Sequence, residues 1–301
     1  MKQTIRVIIA CFLVLVLGTG IFYRLKQTST QTSDNTIVAS FYPMYFFTKE
    51  IAGDKFTVIN MTPNGTEPHD YEPTTQDLRN LETAKLIVTN GGVEVWQNKL
   101  TPEEKVKTVV ASEGMLTNTI EEDGKQEIDP HVWLDPILAK TEVQRIADGI
   151  IKADPARSAY YQANTKRLLA ELDSLNKSYK TGLSMCMKKD IVTSHAAFYY
   201  LGHQYGLNQV AIAGLSPDEE PSAQRLGELT DFVHENNVSV IFFEELASPK
   251  LSETLAQETG VQTMVLSPLE GLSPDEEKQG EDYISKMTDN LHALQTALSC
   301  R

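Results

Sequence analysis

Histidine is scarce in this chain, six in 301 residues, and three of the six stand in unusual company. His69 lies in the polar, proline-bracketed loop Asn64-Gly65-Thr66-Glu67-Pro68-His69-Asp70-Tyr71-Glu72-Pro73-Thr74. His131 lies in Asp129-Pro130-His131-Val132-Trp133-Leu134-Asp135-Pro136, and His195 follows the apolar run Ile191-Val192-Thr193-Ser194. Neutral imidazole is a common ligand for divalent transition metals. A single loop histidine is ordinarily ligand-free. Half of a small set placed after the ends of strand-like runs points instead to a shared metal site, where open α/β sheets gather their ligands. Glu270, in Val265-Leu266-Ser267-Pro268-Leu269-Glu270-Gly271-Leu272, supplies a carboxylate after the last such run, although Asp275, Glu276 and Glu277 nearby leave room for an ordinary solvated acid. Three imidazoles and one carboxylate suit four-coordinate zinc, with bonds of about 2.0–2.2 Å. Calcium and magnesium want mostly oxygen, and copper(I) wants sulfur, which these loops lack. His203, His234 and His292 read as surface or helix-cap residues, Trp96 as core, and Trp133 as packing for the loop of His131.

The elements that would position these loops are legible as two repeats of one rhythm. Short β-branched runs at Thr36–Ser40, Thr57–Thr62, Leu86–Asn90 and Lys107–Ser112 are each separated by enough chain for a helix, the mark of a parallel sheet. The rhythm returns at Asp190–Ser194, Gln209–Ala213, Ser239–Glu244 and Gln262–Ser267. The expected fold is α/β, two four-stranded lobes at 36–136 and 183–301. Between them, 137–182 has no strand signal. Asp154-Pro155 starts a pattern in which Tyr161, Leu168, Leu172, Leu175 and Tyr179 recur at helical spacing, so one helix is expected over Pro155–Thr181, stopped by Gly182. Such a helix, roughly 40 Å long, would join the lobes stiffly. His195 is expected to open a helix beginning at Ala196-Ala197-Phe198.

Val7–Tyr23 is apolar and preceded by Lys2 and Arg6, so residues 1–26 read as a signal peptide or an N-terminal membrane anchor, with 27–35 as a polar tether. Arg24 and Lys26 stand where a small-residue cleavage site would be, which favours the anchor. Cys11 resembles a lipoprotein box only loosely. The body is then extracytoplasmic. Setting aside the four basic residues of the first 33 leaves 23 basic against 41 acidic side chains, a formal charge of −18. That balance repels nucleic acid and favours a cationic ligand. In an oxidising compartment the remaining cysteines, Cys186 and Cys300, are expected to form a disulfide.

Pro68-His69-Asp70-Tyr71-Glu72-Pro73, the Asp129–Pro136 segment, Thr193-Ser194-His195-Ala196-Ala197-Phe198 with Tyr205-Gly206-Leu207, and Asp282-Tyr283 together resemble the zinc- and manganese-binding solute receptors of ABC transporters. The resemblance spans about Thr36 to Cys300. It implies two (β/α)4 lobes joined by one long α-helix with the metal in the cleft between them, a monomeric receptor handing Zn2+ to a membrane permease, and no enzymatic activity. It puts ligands at His69, His131 and His195. Manganese-type members look to have glutamate at the third position, so His195 marks the zinc type; manganese or iron receptors and zinc-containing surface adhesins are the neighbouring alternatives. Two departures stand out. Ser267 occupies a position where many relatives have aspartate, which leaves the fourth position to Glu270, as in another branch that resembles this chain in having Pro-Leu-Glu, or to water or a nearby acid. Thr117–Ile128 is short, acidic and without histidine, so a His-rich zinc-collecting loop is not expected.

Overall fold

The computed structural model describes residues 35–122 and 125–301. The anchor, Cys11 and nearly all of the tether expected at the start of the chain lie outside these residues.

All eight expected strands form, one to three residues shorter than their sequence runs. In the first lobe β1 (Thr36–Ala39), β2 (Thr57–Asn60), β3 (Leu86–Thr89) and β4 (Thr108–Val110) make a parallel sheet ordered β2-β1-β3-β4. A hairpin of β5 (Thr119–Glu122) and β6 (Lys125–Ile128) follows, with Thr119 opposite Ile128. This acidic stretch carries no strand signal in the sequence, because it lacks an apolar face. In the second lobe β7 (Asp190–Thr193), β8 (Asn208–Ala211), β9 (Val240–Phe243) and β10 (Gln262–Val265) are parallel in the order β10-β9-β7-β8. Counted within each lobe, both sheets have the order 2-1-3-4. Each therefore has a switch point between its first and third strands, at the carboxyl edge where ligands collect.

Side-chain alternation explains why both sheet faces are covered. Ile37 and Ala39 of β1 face the core that runs through the whole molecule, while Val38 joins an outer cluster with Leu81, Ile87 and Trp96. Ile191 and Phe242 face the same central core, and Val192 and Ile241 join an outer cluster with Leu229, Val233 and Leu255.

The central core is carried between lobes by the linking helix. In chain order the helices are α1 (Tyr42–Ala52), α2 (Thr75–Thr83), α3 (Pro102–Val106), α4 (Pro136–Ala153), α5 (Ser158–Gly182), α6 (Tyr199–Tyr205), α7 (Ala223–Glu235), α8 (Lys250–Thr259), α9 (Pro274–Gln279) and α10 (Tyr283–Ala297). The long helix α5 begins at Ser158. Pro155–Arg157 form a separate 3-10 turn, because the Asp154 carboxylate accepts from the hydroxyl of Tyr161 and the guanidinium of Arg157 and caps no helix amide. At 25 residues α5 is roughly 37 Å long. Its buried stripe is Tyr161, Thr165, Leu168, Leu172, Leu175 and Tyr179. The helix expected from Ala196 begins only at Tyr199, since the Ala196 amide donates to the Gly214 carbonyl and the Phe198 amide to the side chain of Gln209. Cys186 and Cys300 form a disulfide. Among the described residues no helix is long and apolar enough to cross a membrane.

Candidate metal centre

Each of the four chemistry-bearing side chains arrives by a different local device. His69 comes on the loop from β2 to α2, whose far end is fixed by a capping box between Thr74 and Asp77 and by the Tyr71 hydroxyl on the Asp77 carboxylate. His131 leads a 3-10 turn, Val132–Leu134, that runs into α4, where Asp135 caps the amide of Ile137. The His195 carbonyl accepts from Thr193 Oγ1 and Gln209 Nε2, which fixes the bend in which its imidazole turns inward. Glu270 follows Leu269, a fully buried residue at φ +56°, in the left-handed region that L side chains avoid at a cost of about 1–2 kcal/mol.

These devices converge. Glu270 Oε1 lies 3.2 Å from His69 Nε2, 3.2 Å from His131 Nε2 and 3.4 Å from His195 Nε2, and the last two nitrogens are 3.3 Å apart. All four ligand atoms lie within 4.8 Å of one another. A tetrahedron around zinc with bonds near 2.05 Å has edges of about 3.3 Å, which the three Glu270 distances and the His131–His195 distance match. Glu270 Oε2 is buried without a hydrogen-bond partner, leaving an oxygen free for a cation. His131 and His195 are wholly buried; the His69 side chain is 12% exposed and is the edge of the group nearest water.

Two carboxylates that sequence reasoning passed over complete the site. Asp129 Oδ1 accepts from His131 Nδ1 at 2.8 Å and from the His131 amide at 3.0 Å, and Glu244 Oε1 accepts from His195 Nδ1 at 2.6 Å. Each fixes the tautomer that turns Nε2 toward the metal position and raises the basicity of the ring. Signals for both were present: Asp129 stands two residues before His131, and Glu244 is an acid at the carboxyl end of a buried strand. The Nδ1 of His69 has no such partner among the described residues. Burial opposes ionisation of Glu270, yet the facing imidazoles hold its carboxyl well below the usual range. Burial likewise works against a charged His131 or His195, but the carboxylates prevail, raising the first and holding the second well above the ordinary histidine value. Burial and the Glu270 charge push Glu67, at the rim, up to about 9.

Trp133, fully buried, packs edge-on against Phe41 and lies 5.0 Å from the His131 ring. Its indole nitrogen donates to the Pro268 carbonyl at 2.8 Å, so the His131 segment is tied to the strap bearing Glu270. His203 stacks on Tyr199, and His234 and His292 lie on α7 and α10, none of them in the cluster.

Residues 37–297 match the family described as ZnuA, zinc-uptake complex component A, periplasmic. The chain belongs to this family. Within the ZnuA family it is 44% identical over 307 residues to the high-affinity zinc uptake system protein ZnuA of Bacillus subtilis, covering 97% of this chain and 96% of that protein. It is 45% identical over 273 residues to the zinc-binding lipoprotein AdcA of Streptococcus pneumoniae, covering 86% of this chain but spanning only about half, 54%, of that longer protein. The crystal structure of the Zn(II)-bound ZnuA-like domain of the pneumococcal AdcA superposes with a TM-score of 0.76 at 42% identity, over 88% of this chain and 98% of that one.

Proposed function

We propose that this protein is an extracytoplasmic receptor that captures one Zn2+ between its lobes, through His69 and His131 from the first and His195 and Glu270 from the second, and delivers it to an ABC-type permease. The observation that carries the reading is the set of three imidazole nitrogens and one carboxylate oxygen within 4.8 Å of one another, with Glu270 at tetrahedral-edge distance from all three nitrogens. Zinc is the cargo. A hydrolytic zinc needs an open coordination position for water, and Glu270 takes that position here. Membership of the ZnuA family and the zinc-uptake names of its members support the same conclusion, and the apolar segment before Tyr23 supports a membrane-tethered body outside the cytoplasm.

The test is metal analysis of protein purified without added metal, followed by zinc–manganese competition. The expected result is one tightly held zinc per chain that excess manganese does not displace. Displacement by stoichiometric manganese would move the protein to the manganese type, and absence of stoichiometric metal would overturn the site.

A further inference from the structure

The last helix presents three polar residues on one face. Tyr283, Lys286 and Asn290 stand at i, i+3 and i+7 of α10, all buried. Asn290 brackets the start of the Glu270 strap, its Oδ1 accepting the Ser267 amide at 2.8 Å and its Nδ2 donating to the Ser267 carbonyl at 2.7 Å. Tyr283 donates its hydroxyl to the Trp133 carbonyl at 2.5 Å. Lys286 lies between them, and its ammonium reaches two carboxylates: Glu245 at 2.5 Å and Glu276. Glu245 follows directly on Glu244, the residue that orients His195. Glu276 closes the capping box with Ser273 at the start of α9, three residues beyond Glu270.

Lys286 thus touches both segments that bear the second lobe's site carboxylates while touching no ligand itself. These segments also press against each other at Gly271, where an added Cβ would come within 2.9 Å of the Leu246 side chain, so the gap between them is set at close contact. A lysine buried to this degree needs its partners, since removing one member of a buried ionic group leaves the remainder uncompensated. Removing the lysine would set two carboxylates facing each other across the gap. Repulsion would then part the Glu244 turn from the Glu270 strap.

We propose that Lys286 is a positioning residue of the metal centre, clamping the Glu244–Glu245 turn to the strap that carries Glu270 and so holding His195 and Glu270 at ligand spacing. This rests on the zinc-receptor reading above, and the experiment separates the two. Zinc stoichiometry and release are measured by stopped-flow chelation on the full chain, its Lys286→Met variant and its Lys286→Arg variant, together with visible spectra of the cobalt-loaded forms. The parent binding one zinc secures the receptor reading whatever the variants do. Lys286→Met is expected to release zinc roughly ten times faster with little change in capture rate, the scale seen when supporting contacts of metal ligands are lost. Its tetrahedral cobalt bands should weaken, and Lys286→Arg should restore both. Should Lys286→Met fail to fold, Glu245→Gln and Glu276→Gln each open one arm of the clamp and are read the same way. Lowered thermal stability with unaltered release and an unaltered cobalt spectrum would make Lys286 a structural ion pair only and overturn the inference.

Discussion

Asp129 and Glu244 face away from the metal position, yet each holds the outer nitrogen of a fully buried imidazole. His69 lacks that support and is the proposed ligand nearest water. At the residue scale this asymmetry sets an order of importance. Asp129→Asn and Glu244→Gln are each expected to weaken zinc binding roughly 10- to 100-fold without removing a ligand. Among alanine variants, His69→Ala should be the mildest and His131→Ala or His195→Ala the most damaging, because the two supported rings are already fixed for coordination. Competition titration against a chromogenic chelator ranks all five; a His69→Ala loss exceeding the other two would refute the order.

At the scale of elements, α4 carries a buried acid that the metal centre does not use. Glu142 is fully buried, accepts one bond from Asn90 Nδ2 at 3.2 Å, and has its second oxygen unpartnered. Burial, with the Glu94 carboxylate adding to it, pushes its pKa from 4.5 to about 8. The folded protein therefore keeps a proton that the unfolded chain gives up above pH 4.5. The linked stability is fully present below that value, declines as pH rises, and is lost once pH passes about 8. Glu142→Gln keeps the bond to Asn90 and removes the titration. Compared with the parent in chelator, the variant should gain stability on going from pH 5 to pH 8, by up to a few kcal/mol given about 1.4 kcal/mol per unit. Urea unfolding of both proteins at the two pH values measures this, and parallel curves would show that Glu142 ionises normally.

For the whole molecule, the lobes are fastened on the inner side of the cleft. The central core runs without a break from the first sheet through α5 into the second. The Tyr200 hydroxyl accepts the amides of Thr117 and Asn118 and donates to the Asp129 carbonyl at 3.2 Å, and Trp133 is bonded to Pro268 and Tyr283. Drawing His131 away from the second lobe breaks all of these, whereas displacing the His69 loop breaks none of them. The disulfide sits at the other pole. Cys186 precedes the start of β7, and His195 lies beyond its end, roughly 13 Å of strand away. Replacing both cysteines by serine should cost about 2–5 kcal/mol of folding stability through the unfolded chain, yet leave zinc affinity within roughly threefold. Denaturant unfolding paired with zinc titration checks both halves, and a tenfold loss of affinity would reveal coupling along the lobe.

Much of this was legible in the sequence. The inner strands followed from β-branched runs, because a strand buried on both faces needs an unbroken apolar segment whatever lies around it. The three histidines stood out through scarcity and position, and α5 through its periodic stripe. Local boundaries were less legible: the start of α5 turned on where the Asp154 carboxylate found partners, and the delayed start of α6 on the bonds that the Ala196 and Phe198 amides donate to Gly214 and Gln209. The hairpin from Thr119 to Ile128 carries no apolar face to announce it. What only the tertiary structure decided was convergence. Glu270 was one acid among several near the end of the chain until the left-handed Leu269 and the Trp133–Pro268 bond turned it onto three imidazoles. Glu244 and Lys286 drew their roles from residues far away in sequence, His195 and Glu245. A side chain's type and its neighbours in the chain fix what chemistry it can do, but which groups share one small buried volume depends on how two sheets and a helix pack, and that is written in no local pattern.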